Sequence, residues 1–129
     1  MSTLEGALAA AALTVWLAMA GCKQTSKAPI VPGGDAERGK VAVGAYGCGS
    51  CHAIPGVRGA RGMVGPPLAD VGRRVYIAGV VQNDPEHMVR WIIDPPAIDS
   101  KTAMPNVGVT ERDARDIAEY LYRLRSESH

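Results

Sequence analysis

Residues 46–53 read YGCGSCHA. Cys48 and Cys51 stand three apart, and His52 follows at once. The chain has three Cys and three His in 129 residues, so three of those six fall in this one stretch. Three chemistries use a Cys-x-x-Cys pair. A zinc site needs four ligands, usually from two such pairs or from one pair and two His. There is a single pair here, and His87 and His129 lack finger spacing. A thioredoxin-type dithiol needs a βαβ setting, and no such pattern surrounds the motif. With His52 added, the stretch becomes Cys-x-x-Cys-His, the attachment signature of a c-type haem. Two thioethers to the vinyl groups place the ring against the peptide. The next residue then lies beneath the ring, where an imidazole reaches iron. One covalent haem c (iron) is the expected cofactor, with Cys48 and Cys51 as attachment points and His52 as metal ligand.

A second axial ligand can come from Met63, Met88, Met104, His87 or His129. Met88 falls on the apolar face of a predicted helix, where core packing accounts for it. Met63 lies in a Gly-rich loop, His87 on the far side of that helix, and His129 in the tail. Met104, in TAMPNVG, lies in an irregular stretch stiffened by Pro105. A thioether paired with imidazole favours the reduced iron and raises its potential. Met104 is the expected sixth ligand, which closes the iron to oxygen and peroxide.

Three helices must position these groups. The first is capped by Asp35 and runs through AERGKVAVGAY. Its residues Ala36, Gly39, Val43 and Gly47 share one face, and three of the four are small enough to admit another helix closely. The second is DPEHMVRWIID, capped by Asp84 with Pro85 in the first turn, and Pro95 and Pro96 end it. The third begins at Thr110, with Asp113 in a capping-box-like position. Its apolar stripe is Ala114, Ile117, Ala118, Leu121 and Leu124. No alternating strand pattern of useful length stands out. The expected fold is all-α, with long loops around the haem.

Composition agrees with a small loop-rich domain. There are 15 Gly, 9 Pro and no Phe, and only two Trp and four Tyr to fill a core, so a flat organic cofactor could supply apolar bulk. The formal charge of +1, mixed in sign along the chain, gives no footprint for nucleic acid.

Residues 6–21, GALAAAALTVWLAMAG, carry no charge, and Cys22 follows small residues. The stretch resembles a bacterial lipobox, whose cysteine is lipidated after cleavage. Cys22 is also the thiol left over once Cys48 and Cys51 share a task. Residues 1–21 are thus expected to be a signal peptide or membrane anchor. An uncleaved anchor and a signal cut elsewhere are the alternatives, and all three export the domain. Residues 22–34, polar and rich in Pro and Gly, read as a flexible tether, and residues 35–129 as the folded domain.

From residue 35 to about residue 125 the chain resembles the class I c-type cytochromes. DAERGKVAVGAYGCGSCH looks like the family's first helix running into its haem motif. Gly39 matches the small residue where first and last helices cross, and Tyr120 the aromatic packed over it. GPPL at residues 65–68 resembles the loop after the haem, which implies that the Pro66 carbonyl accepts from the His52 ring. WIIDPPAIDSKTAMP is similar in spacing to the approach to the family's methionine. The resemblance places Trp91 against the haem, and Thr102 and Arg73 near a propionate. Val43 stands where many relatives have an aromatic, and the family's lysines around the haem edge are sparse here.

The resemblance implies a one-electron carrier and not an enzyme, with no small-molecule substrate. Its partners would be membrane redox complexes, one donating and one accepting electrons. Attachment to the periplasmic side of a bacterial membrane would follow from a lipidated Cys22 or an amino-terminal anchor. A fixed subunit through which electrons enter a terminal oxidase or dehydrogenase is the alternative. A haem sensor or peroxidase-like enzyme would need an open iron. Arg58 and Arg61 could form a docking patch for an acidic partner or a plain surface loop.

Overall fold

The computed structural model describes residues 30–124. The expectations for residues 1–29, Cys22 among them, and for His129 lie outside the described residues. Helix α1 spans Ala36–Ala45. The Asp35 side chain caps it by accepting from the Arg38 amide at 2.9 Å. Helix α2 spans Pro85–Ile93, where Asp84 accepts from the His87 amide at 2.9 Å. The His87 ring lies 2.6 Å from the other Asp84 oxygen. The His87 amide and then its ring hold the Asp84 carboxyl below its usual range.

The sequence suggests that prolines end the chain's second helix, yet helix α3, Pro95–Ile98, restarts at once from Asp94. Proline fits a first turn, where its missing N–H has no helical partner to lose. The chain therefore has four α-helices among the described residues, not three. Helix α4, Glu111–Arg123, is capped by Thr110, whose hydroxyl accepts from the Asp113 amide at 3.2 Å. Tyr46, at the end of α1, joins this cap by donating to Asp113 Oδ2 at 2.7 Å. A short antiparallel hairpin pairs β1, Tyr76–Ile77, with β2, Val81–Gln82. Two residues per strand are too few to show an alternating pattern, so the sequence gives no sign of it.

α1 crosses α4 at Gly39, where a Cβ would lie 1.9 Å from the Asp116 carbonyl oxygen. Glycine is required there by the closeness of two backbones. Ile117, Ala118 and Leu121 of α4 are buried against Val43 of α1 and against Met88, Trp91 and Ile92 of α2 in one core.

Two features depart from the sequence reading. Val31 is fully buried, and its amide donates to Glu119 Oε2 at 2.7 Å. The folded unit therefore includes residues before Asp35, within the stretch expected to be a tether. The apolar stripe of α4 also has two carboxylates beside it, Asp116 and Glu119, each 1% exposed. Asp116 accepts from the Asp35 amide and from two nitrogens of Arg38, all at 2.8 Å. Glu119 is paired with Arg123 and the Val31 amide. These acceptors satisfy the backbone of the incoming chain, and their own charge is met by the two arginines.

Candidate haem site

α1 ends at Ala45, and Tyr46 and Gly47 separate it from Cys48. Gly47 takes the left-handed conformation at φ 70°, and the chain enters a 3₁₀ turn over Cys48–Ser50. The amides of Cys51 and His52 both bond to the Cys48 carbonyl, at 3.2 and 3.0 Å. Two thiols and an imidazole thus come from a single turn.

The Gly-rich loop after it folds back over the motif. Gly62 N donates to Gly49 O at 3.1 Å, and Gly65 N to Cys51 O at 2.8 Å. A Cβ at Gly62 would lie 2.4 Å from the Cys51 carbonyl carbon. Gly62 is thus required by close packing against the motif's backbone, whereas Gly56 and Gly59 take left-handed conformations at φ 75° and 76°.

His52 Nδ1 lies 2.8 Å from the Pro66 carbonyl, as the resemblance implies. A carbonyl only accepts, so the proton is on Nδ1 and Nε2 carries the lone pair. That tautomer is the one a metal-binding imidazole requires, and the hydrogen bond fixes its orientation.

Cys48, Cys51 and His52 line an apolar cavity of about 270 Å³. Val43, Trp91, Ile92, Ile117 and Leu121 form its interior walls, and Thr102, Met104 and Pro105 lie on the same lining. Thr102 Oγ1 accepts from the Met104 amide at 3.2 Å, so its hydroxyl steadies the loop bearing the methionine. Burial pushes the Cys48 thiol up. Of the other axial candidates, Met88 lines the cavity from α2, whereas Met63 is 92% exposed and outside it. His87 is occupied by Asp84 and is also outside.

One site assignment changes. Arg73 is exposed, 3.9 Å from Asp70, and does not line the cavity. Its neighbour Arg74 does, and donates to the Pro67 carbonyl. The turn Val71–Arg73 is a 3₁₀ segment, and Arg74 leaves it with extended backbone at φ −72° and ψ 148°. A shift of one position therefore decides which arginine faces the cavity.

Asn83 and Tyr122 were invisible to the sequence reading. The Asn83 side-chain nitrogen donates to Val71 O at 2.9 Å and Arg74 O at 2.8 Å. Its oxygen accepts from the Tyr122 hydroxyl at 2.8 Å. Burial, then the Asp84 charge, push the Tyr122 phenol up to about 12, so it remains a donor at neutral pH. No local pattern marks a residue whose partners are distant in sequence.

These residues fit a haem. Among the described residues no three His, Cys, Asp or Glu side chains converge to hold a metal ion directly. The thiols and imidazole instead border an apolar slot with thioethers on its lining. A small helical domain built this way is of the covalent haem-protein class.

The profile of the cytochrome c family matches residues 36–125. The chain belongs to that family. Its fold is shared with cytochrome c2 of Rhodobacter sphaeroides, with a TM-score of 0.51 at 23% identity over 70% of this chain and 96% of that one. Cytochrome c oxidase subunit 2 of Bacillus sp. (strain PS3) is 31% identical over 108 residues, 81% of this chain and 30% of the relative. The same subunit of Bacillus subtilis is 33% identical over 87 residues, 63% of this chain and 24% of the relative. The chain thus spans less than a third of the length of these curated relatives. Membership of the family implies one covalently bound haem c, and Cys48 and Cys51 stand where its attachment requires them.

Proposed function

We propose that this domain is a membrane-attached electron carrier that delivers single electrons to a terminal oxidase. The haem, when bound, supplies a one-electron couple at its iron. His52 Nε2 and the Met104 thioether would ligate that iron, and Cys48 and Cys51 would hold the group covalently. The observation that carries this reading is the His52–Pro66 hydrogen bond, which presents Nε2 to the same apolar cavity that Met104 lines. Trp91, Thr102 and Arg74 complete the surroundings, with Arg74 and Thr102 offering polar groups to the propionates. The apolar walls exclude water and keep reorganisation on electron transfer small.

The oxidase as acceptor rests on the relatives named subunit 2 of cytochrome c oxidase. Those names also favour a second reading, a fixed subunit of the oxidase instead of a shuttle. Detergent extraction in high salt separates the two, because a fixed subunit stays with the complex and a shuttle is released. Attachment through a lipidated Cys22, on the periplasmic side of the membrane, is read by mass spectrometry of the mature amino terminus. An unmodified terminus at another residue rejects it. No helix among the described residues is long and apolar enough to cross a membrane.

The axial pair is tested on the ferric holoprotein. Its spectrum should show the methionine–iron charge-transfer band at the red end of the visible range. Met104→Ala should abolish that band and let the ferrous protein bind carbon monoxide rapidly. Met88→Leu should retain it. Loss in the Met88 variant alone would transfer the ligand role to Met88, and rapid carbon monoxide binding by the unaltered protein would sink the closed-iron reading.

A further inference from the structure

The turn before the hairpin is tied at both ends by one side chain. Asn83 donates to Val71 O and Arg74 O and accepts from Tyr122 of α4, so its amide is used on both sides. Its own backbone amide donates to Val75 O at 3.0 Å. The turn is pressed onto α4, where a Cβ at Gly72 would meet Tyr122 Cα at 2.8 Å. From this fixed turn Arg74 reaches the Pro67 carbonyl. The adjoining peptide carries the Pro66 carbonyl that accepts from His52 Nδ1. A continuous series of hydrogen bonds and one peptide link therefore runs from α4 to the imidazole.

We infer that Tyr122, Asn83 and Arg74 are positioning residues for His52, acting through the Pro66–Pro67 carbonyls. The inference rests on the proposed role of His52 as axial ligand. Residues 66 and 67 are both proline, so neither can donate a backbone hydrogen bond to anchor itself. The Pro67 carbonyl instead accepts from Arg74, and Arg74 in turn is held by Asn83. The hydrogen bond at Nδ1 sets how strongly the ring donates to a metal, so a firmer acceptor lowers the potential and a looser one raises it. Tyr122 would thus influence the site without touching it.

The test is hydrogen exchange by NMR on the ferrous holoprotein. In Tyr122→Phe, which removes one hydroxyl, the His52 Nδ1 proton and the Arg74 amide should exchange about tenfold faster, the factor expected for one lost hydrogen bond. Amides within α1, such as Val43, should keep their rates. In Arg74→Met, only the His52 proton should accelerate, because the turn keeps its tie to Asn83. The midpoint potential of Tyr122→Phe should rise, since its charge is unchanged. Unaltered exchange at His52 in both variants, or equal acceleration of every amide, would overturn the inference. Failure to find any haem-shifted imidazole proton in the unaltered protein would instead overturn the axial role of His52.

Discussion

Gly65 lies directly against the imidazole of His52. A Cβ built on it would be 2.3 Å from Cε1 and 2.6 Å from Nδ1. The next residue carries the carbonyl that accepts from the same ring. The close approach therefore has a purpose, since it lets the chain reach the hydrogen-bonding edge of the ring within one residue. Gly65→Ala should displace the imidazole and break its bond to Pro66. The expected cost is about 1–3 kcal/mol, the usual range for overpacking a filled site. Thermal unfolding of the holoprotein measures it, and a shift in midpoint potential should accompany it. An unchanged potential with full stability would show that the ring has room to move.

The Asp116–Arg38 pair predicts a pH dependence. The Arg38 hydrogen bonds, opposed by burial, leave the Asp116 carboxyl below its usual range. A depressed pKa in the folded state means that the ionised carboxylate stabilises the fold. That contribution is complete above the unfolded value of about 3.9 and is lost as pH falls through the lower folded value. Asp116→Asn should cost about 2 kcal/mol at neutral pH, in the range for hydrogen bonds to a charged group. The gap between variant and unaltered protein should close in denaturant titrations taken progressively below about pH 4. A gap that stays constant with pH would assign the loss to packing alone.

Charge around the attachment loop bears on how the proposed carrier would meet its acceptor. From residue 39 to residue 69 there is no Asp or Glu, while Arg58 and Arg61 project from the loop over the haem motif. Val64, Tyr76 and Val107 are exposed on the cavity lining nearby. An apolar mouth with cations beside it suits an acidic partner surface. Arg58→Glu with Arg61→Glu should slow electron delivery to the oxidase about tenfold at low salt, and raising ionic strength should shrink the difference. Stopped-flow mixing with the purified oxidase measures both. Equal rates for the double variant at low salt would place docking elsewhere.

What could be read without coordinates was local. Cys48, Cys51 and His52 are adjacent in sequence and belong to one turn, so their chemistry was visible at once. The caps at Asp35, Asp84 and Thr110 act over three residues, and Met104 stood out beside Pro105 in a stretch with no helical pattern. The crossing at Gly39 was legible through the resemblance and is explained by the backbone of α4.

The rest depended on partners far along the chain. The Val31 amide meets Glu119 across 88 positions, Arg38 meets Asp116 across 78, and Tyr122 meets Asn83 across 39. No periodicity encodes such pairs, so a tether residue proved to be core and two acids proved to be buried. The choice of Arg74 over Arg73 turned on where a three-residue turn gives way to extended chain. The cofactor and the groups able to hold it follow from adjacent residues, because covalent attachment needs only neighbours in the chain. Which arginine faces the cavity, that Val31 joins the core, and how the imidazole is held follow from packing, because each depends on segments far apart in sequence.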